Sequence, residues 1–110
     1  MQINIQRING TPTAEILSDK LVITTAQDAL DLIGNCSYQG ADKIILHKKN
    51  ITEDFFDLKT GLAGEVLQKF SNYRMQLVIV GDFSQYASKS LKDFILESNK
   101  GKLVNFVESV

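Results

Sequence analysis

Along the first seventeen residues apolar and polar positions alternate. Ile3 and Ile5, followed by Ile8, are set among polar neighbours, Asn9-Gly10 interrupts the run, and Thr13-Ala14-Glu15-Ile16-Leu17 resumes it. A period of two sends successive side chains to opposite faces of a strand, and Asn-Gly tolerates the positive φ of a tight turn. This segment therefore predicts an antiparallel opening hairpin, with Thr11-Pro12 able to lengthen its loop. Leu21-Val22-Ile23 is a short apolar piece, read as a brief additional strand. Beyond it the period changes. Thr25 is placed to cap a helix whose Ala26, Ala29, Leu30 and Ile33 form one stripe, and Asp28 suits the positive end of the helix dipole. The polar stretch Asn35 to Gly40 is expected to break that helix.

Lys43-Ile44-Ile45-Leu46-His47 reads as a central strand, and Gln76-Leu77-Val78-Ile79-Val80-Gly81 is the strongest strand signal in the chain. Between them, Asn50 to Tyr73 carries helical spacing through Leu62, Ala63, Val66, Leu67 and Phe70. Glycine is unfavourable inside a helix, so Gly61 and Gly64 are expected to mark a helix start and a close approach to the sheet, with a short turn ahead of the main helix. Ser88 is placed to cap a third helix presenting Leu91, Phe94, Ile95 and Ser98, Asn99 to Gly101 to stop it, and Leu103 to Val107 to form the last strand. The predicted order is ββ(β)αβαβαβ. It implies one α/β domain over residues 1–110, with an antiparallel opening hairpin, later parallel strands and packed helices.

Composition narrows the function classes more than it selects one. The chain has 110 residues, 44% hydrophobic and 23% charged, which suits a single folded domain without disulfides or structural metal. A formal charge of -1 supplies no global attraction to polyanions, so no nucleic-acid partner is expected. Lys89, Lys92, Lys100 and Lys102 are diluted by Asp93, Glu97 and Glu108 and read as a solvated edge. Cys36 is the one cysteine and has no metal-ligand spacing around it. No basic and apolar leader opens the sequence and no run is long enough to span a bilayer, so a cytoplasmic location without membrane insertion is expected.

Ligands in open α/β sheets meet the loops at the carboxyl ends of parallel strands. Three segments belong there: His47-Lys48-Lys49-Asn50, Gly81-Asp82-Phe83-Ser84, and Asp57-Leu58-Lys59-Thr60-Gly61. His47 exchanges protons near neutral pH and Asp82 is a candidate to orient it, so His47, Lys48, Asp82 and Ser84 define one candidate pocket. Thr60-Gly61-Leu62-Ala63-Gly64 places a hydroxyl at a helix start, where free amides favour an anion, but lacks the spacing and the Gly-Lys-Ser/Thr of a nucleotide-binding loop. Phe55, Asp57, Lys59, Thr60, Gly61 and Gly64 define a second candidate, a binding or regulatory surface; core packing explains most of the phenylalanines, and an exposed Phe55 or Phe83 would add a partner-facing aromatic to it. No residue is assigned a catalytic role, and no metal or cofactor is expected.

Asp54-Phe55-Phe56-Asp57-Leu58-Lys59-Thr60-Gly61-Leu62-Ala63-Gly64-Glu65, with Leu67-Gln68-Lys69-Phe70, Tyr73-Arg74 and Ile79-Val80-Gly81-Asp82-Phe83-Ser84, resembles a bacterial family of domains of unknown function. The likeness continues through Ser88-Lys89-Ser90-Leu91, Asp93-Phe94-Ile95 and Glu97-Ser98-Asn99-Lys100-Gly101, and it implies no particular reaction. More distantly, the element order is similar to that of STAS domains, found in anti-sigma-factor antagonists and sulfate-transporter tails. In those antagonists a strand leads to an Asp-Ser-Ser-Gly-Leu-Gly helix start whose serine before glycine is phosphorylated by a partner kinase. Thr60-Gly61-Leu62 stands at the corresponding place, with Leu58 and Lys59 where the Asp-Ser part would be and Asp57 one position further upstream. This resemblance implies a STAS-like α/β fold, a regulatory surface around the helix start and Thr60 as phosphoacceptor.

Two expectations follow. The first is a non-enzymatic STAS-like interaction or regulatory module with an unidentified protein partner, and with homodimerisation through an exposed sheet or helix face as a further possibility. The alternative is a small-molecule or anion-binding protein, an enzyme included, with its site at the carboxyl ends of the parallel strands.

Overall fold

The computed structural model describes residues 1–110. Strand β1 (Gln2–Ile8) and strand β2 (Thr11–Leu17) pair antiparallel from Gln2 opposite Leu17 to Ile8 opposite Thr11. Asn9 and Gly10 join them with φ of 51° and 82°, the pair of left-handed residues that a type I′ turn demands. Pro12 lies inside β2 opposite Arg7, so the loop is not lengthened.

Helix α1 (Ala26–Tyr38) begins in a full capping box: Thr25 Oγ1 accepts from Asp28 N, and Asp28 Oδ2 accepts from Thr25 N. The expected break at Asn35 does not occur. Cys36 lies on the face of Ala29, Leu32 and Ile33 and is fully buried, so the apolar stripe runs one turn further than the polar composition suggests. The helix ends instead at Tyr38 and is closed off by Gly40, whose φ is 91°, with Gly40 N donating to Ser37 O and Ala41 N donating to Cys36 O. Leu21-Val22-Ile23 forms no strand of the sheet; it makes a single bridge from Ile23 to Ile51.

Strand β3 (Lys43–His47) is followed by three short 3₁₀ turns, Lys48–Asn50, Glu53–Phe56 and Leu58–Thr60, and by helix α2 (Leu62–Asn72). Strand β4 (Gln76–Val80), helix α3 (Lys89–Lys100) and strand β5 (Val104–Val107) complete the chain. Ser88 Oγ caps α3 by accepting from Leu91 N. At the other end of α3, Asn99 clamps β5 twice, its Nδ2 donating to Phe106 O and its Oδ1 accepting from Phe106 N at 2.7 Å.

The five strands lie in the order β1-β2-β3-β4-β5, antiparallel for the first pair and parallel thereafter. The parallel part advances one strand at a time in one direction, so crossovers of a single hand carry all three helices to the same face. The core has that one-sided form: Ala14, Ile16, Ile44, Leu46, Leu77, Ile79, Val104 and Phe106 join Ala29, Ile33, Val66, Phe70 and Leu91 of the helices. The alternate residues, including Glu15, Ile45, His47, Val78, Val80 and Asn105, form the opposite face, which no helix covers. Ile45 is buried there yet lies outside the main core. No helix is long and apolar enough to cross a membrane.

Candidate functional site

The segment from β3 to α2 is shaped by backbone capping. Phe55 and Phe56 are buried, so Phe55 anchors the segment from beneath and offers no exposed aromatic face. Asp57 Oδ1 accepts from Lys59 N at 3.2 Å and closes the last 3₁₀ turn. Thr60 Oγ1 lies 2.6 Å from Asp54 O and 2.9 Å from Asp57 O, and it accepts from Leu62 N at 3.2 Å. One hydroxyl proton is thus shared between two carbonyls while the oxygen receives the first amide of α2. Gly61 has a φ of 78°, a conformation that a side chain would strain. Gly64 is an exposed residue of the first turn of α2 with open space where a Cβ would sit, so the expected close approach to the sheet is absent. Asp57, Lys59, Thr60, Gly61 and Gly64 are all exposed along this helix start.

A second group gathers at the carboxyl ends of β2, β3 and β4. Parallel register puts Glu15 beside Ile45, and His47 is two residues further along the same open face. His47 Nε2 donates to Glu15 Oε2 at 3.0 Å, both side chains being partly buried. Glu15, not Asp82, orients the imidazole. A depression of about 310 Å³ lies against Glu15, Ser18, Asp19, His47 and Lys49. A second of about 480 Å³ lies against His47, Lys48, Lys49, Gly81, Asp82 and Gln85, so three of the four residues expected of the pocket line it, and His47 and Lys49 border both depressions.

The stem of Lys48 lines the second depression, but its ammonium is turned away from it, and Ser84 is not among the lining residues. The Lys48 stem packs on Gly81, where an added Cβ would lie 2.6 Å from Lys48 Cβ. Its Nζ sits 5.2 Å from the Tyr86 ring centroid and 3.4 Å from Glu53 Oε1. Burial would lower the ammonium's pKa, but Tyr86 and Glu53 outweigh it and hold the group above its ordinary value. Tyr86 OH donates to Glu53 Oε2 at 2.9 Å and stacks on Phe56, and burial first, then Glu53, pushes its phenol up. Asp82 Oδ1 accepts from Ser84 N at 2.9 Å and Ser84 Oγ at 2.6 Å, which holds its carboxyl below the usual range, with a smaller contribution from Lys48.

Glu15, Glu53 and Tyr86 were not among the residues that sequence singled out for the pocket. Glu15 meets His47 across 32 residues and Tyr86 meets Glu53 across 33, separations that local patterning does not connect, whereas the Glu53–Lys48 pair spans only five. Asn50 is likewise fully buried, with Nδ2 donating to Ser18 O and Lys20 O at 2.8 and 2.9 Å, so it ties the end of β2 to the segment after β3. Phe83 is half-buried, edge-on to Phe106. Lys89 pairs with Asp93 and Lys100 with Glu97, as a solvated helix face does. Burial pushes the Cys36 thiol up to about 11, which leaves it an unreactive core residue. No three His, Cys, Asp or Glu side chains are grouped to hold a metal ion.

The fold and these two surfaces define a small α/β domain with a mixed, one-sided sheet and its polar clusters at the carboxyl ends of the parallel strands. The chain belongs to the family described as Domain of unknown function (DUF4180), which it matches over residues 8–110. No curated protein and no solved structure matches it.

Proposed function

We propose that this chain is a non-enzymatic, STAS-like protein-interaction module whose regulated contact surface is the start of α2. The observation that carries the reading is the position of Thr60: an exposed hydroxyl after β3, at the end of the last 3₁₀ turn and two residues before α2 begins, held by backbone groups alone. A phosphate there adds a charge of about -1.5 to -2. The hydroxyl proton shared by Asp54 O and Asp57 O would be lost, Asp54, Asp57 and Glu65 would repel the new charge, and the amides of Leu62 to Gly64 would attract it. Opposed forces on adjacent backbone make the turn a place where modification alters the surface a partner meets. A phosphopeptide map of protein isolated from its own host tests this. Phosphate on Thr60 is expected; a fully occupied protein complex with Thr60 unmodified would refute phosphate control.

The second reading, a small-molecule or anion-binding protein with a possible enzymatic role, is favoured by the His47–Glu15 pair between two adjoining depressions. It ranks below the first because Lys48 lines the second depression with its stem while its ammonium is held by Glu53 and Tyr86, and because Ser84 is engaged by Asp82. Native mass spectrometry separates the two: a retained small molecule lost in His47→Ala supports the pocket, and an empty chain counts against it.

A further inference from the structure

Strand β1 is seven residues long and paired on one side only. A type I′ turn closes between Ile8 and Thr11, so the backbone groups of Ile8, and by alternation those of Gln6, Asn4 and Gln2, face β2. Those of Ile3, Ile5 and Arg7 face outward. Free edges are ordinarily blunted by proline, bulges or charge. Here β1 has no proline, its register with β2 is unbroken, and its one charged side chain, Arg7, turns to Gly10 O at 2.7 Å. Ile5 is 41% exposed in the middle of this edge. The opposite edge, β5, is shorter at four residues and is clamped by Asn99.

We infer that this edge pairs with β1 of a second copy of the chain, antiparallel and centred on Ile5. The sequence of β1 fits itself in that register. Ile5 meets Ile5 of the second copy, Asn4 meets Gln6 so that two amides can hydrogen-bond, and Ile3 meets the aliphatic stem of Arg7. The two Arg7 residues then lie four positions out of step, roughly 13 Å apart along the strands and beyond the screening length of about 8–10 Å. A parallel pairing would place them side by side. The antiparallel arrangement is a closed two-fold contact that joins the two five-stranded sheets into one. A strand edge alone is small compared with about 800 Å² per partner in a stable interface, so association is weak and concentration-dependent.

Sedimentation velocity over a concentration series tests the pairing with wild type, Ile5→Pro and Ile5→Lys. Proline at position 5 removes an outward N–H and no β1–β2 hydrogen bond, so the hairpin is retained while the edge is blocked. Lysine keeps the backbone intact and sets two like charges across the two-fold axis. Wild type is expected to move from monomer towards dimer, and both variants to associate roughly tenfold more weakly or less, with unchanged circular dichroism. A wild type that stays monomeric at every concentration, or variants that dimerise as wild type does, would overturn the inference.

Discussion

The two faces of the sheet use the same strands and differ in almost everything else. On the covered face, Leu46 and Ile79 sit in register beneath three helices and are fully buried. On the open face, one residue along each strand, His47 and Val80 sit in register with no helix over them and are partly exposed. Burial of apolar area therefore falls to one side, while the open side keeps a His–Glu pair and a row of aliphatics at its carboxyl end. A sheet whose crossovers all return on one face needs only one hydrophobic layer. Its other face and its loops are left free to differ in chemistry.

Paired substitutions in neighbouring positions of β4 break or confirm this contrast most strongly. Leu77→Ala, on the covered face, is expected to cost about 2–5 kcal/mol of stability, and Val78→Ala, on the open face, about 1 kcal/mol or less, both read by urea denaturation. Equal costs would mean that the open face is packed as tightly as the covered one. Gly81→Ala is expected to cost about 1–3 kcal/mol, because the new Cβ meets Lys48 Cβ and backbone must give way. A neutral result would remove the packing of Lys48 on Gly81 from the account. Thr60→Val is expected to cost about 1 kcal/mol by removing the hydroxyl that bonds three backbone groups.

The smallest effect is a pH dependence. Hydrogen bonds from Thr24, with Thr25 adding to them, hold the Asp28 carboxyl below its ordinary value of 3.8. The unfolded chain therefore binds the proton more readily, and stability rises with pH through this range. The contribution is present above 3.8 and is lost as pH falls through the lower folded value. Asp28→Asn should flatten this part of the profile in urea midpoints measured from neutral pH downward; an unchanged slope would contradict the capping role.

Elements whose cause is local were legible from sequence. The Asn9-Gly10 turn, the Thr25 and Ser88 caps and the strand Gln76–Val80 each depend on neighbours within a few positions, and each forms as the pattern predicts. The helix through Asn35 was missed because one buried residue, Cys36, outweighs the exposed Asn35, Ser37 and Tyr38 beside it, and burial is a property of the packed molecule. Thr60-Gly61 was visible as a helix start, and the burial of Phe55 follows the core reading of the phenylalanines rather than its place in the candidate surface, a choice that the charges beside it in sequence do not decide. The His47–Glu15 pair required the parallel register of β2 and β3, and the Glu53–Tyr86–Lys48 cluster required the loop after β4 to fold back on the turns after β3. Neither relation exists along the chain. The one-sidedness of the sheet depends on strand order, which the alternation of elements does not fix.

Native mass spectrometry of the protein isolated from its own host, as wild type, Thr60→Glu and His47→Ala, tests the central claim that the start of α2 is the regulated contact surface. A protein complex is predicted in wild type and in His47→Ala, with its occupancy changed in Thr60→Glu. A complex indifferent to Thr60→Glu but lost in His47→Ala would contradict the claim and move the functional surface to the open face of the sheet.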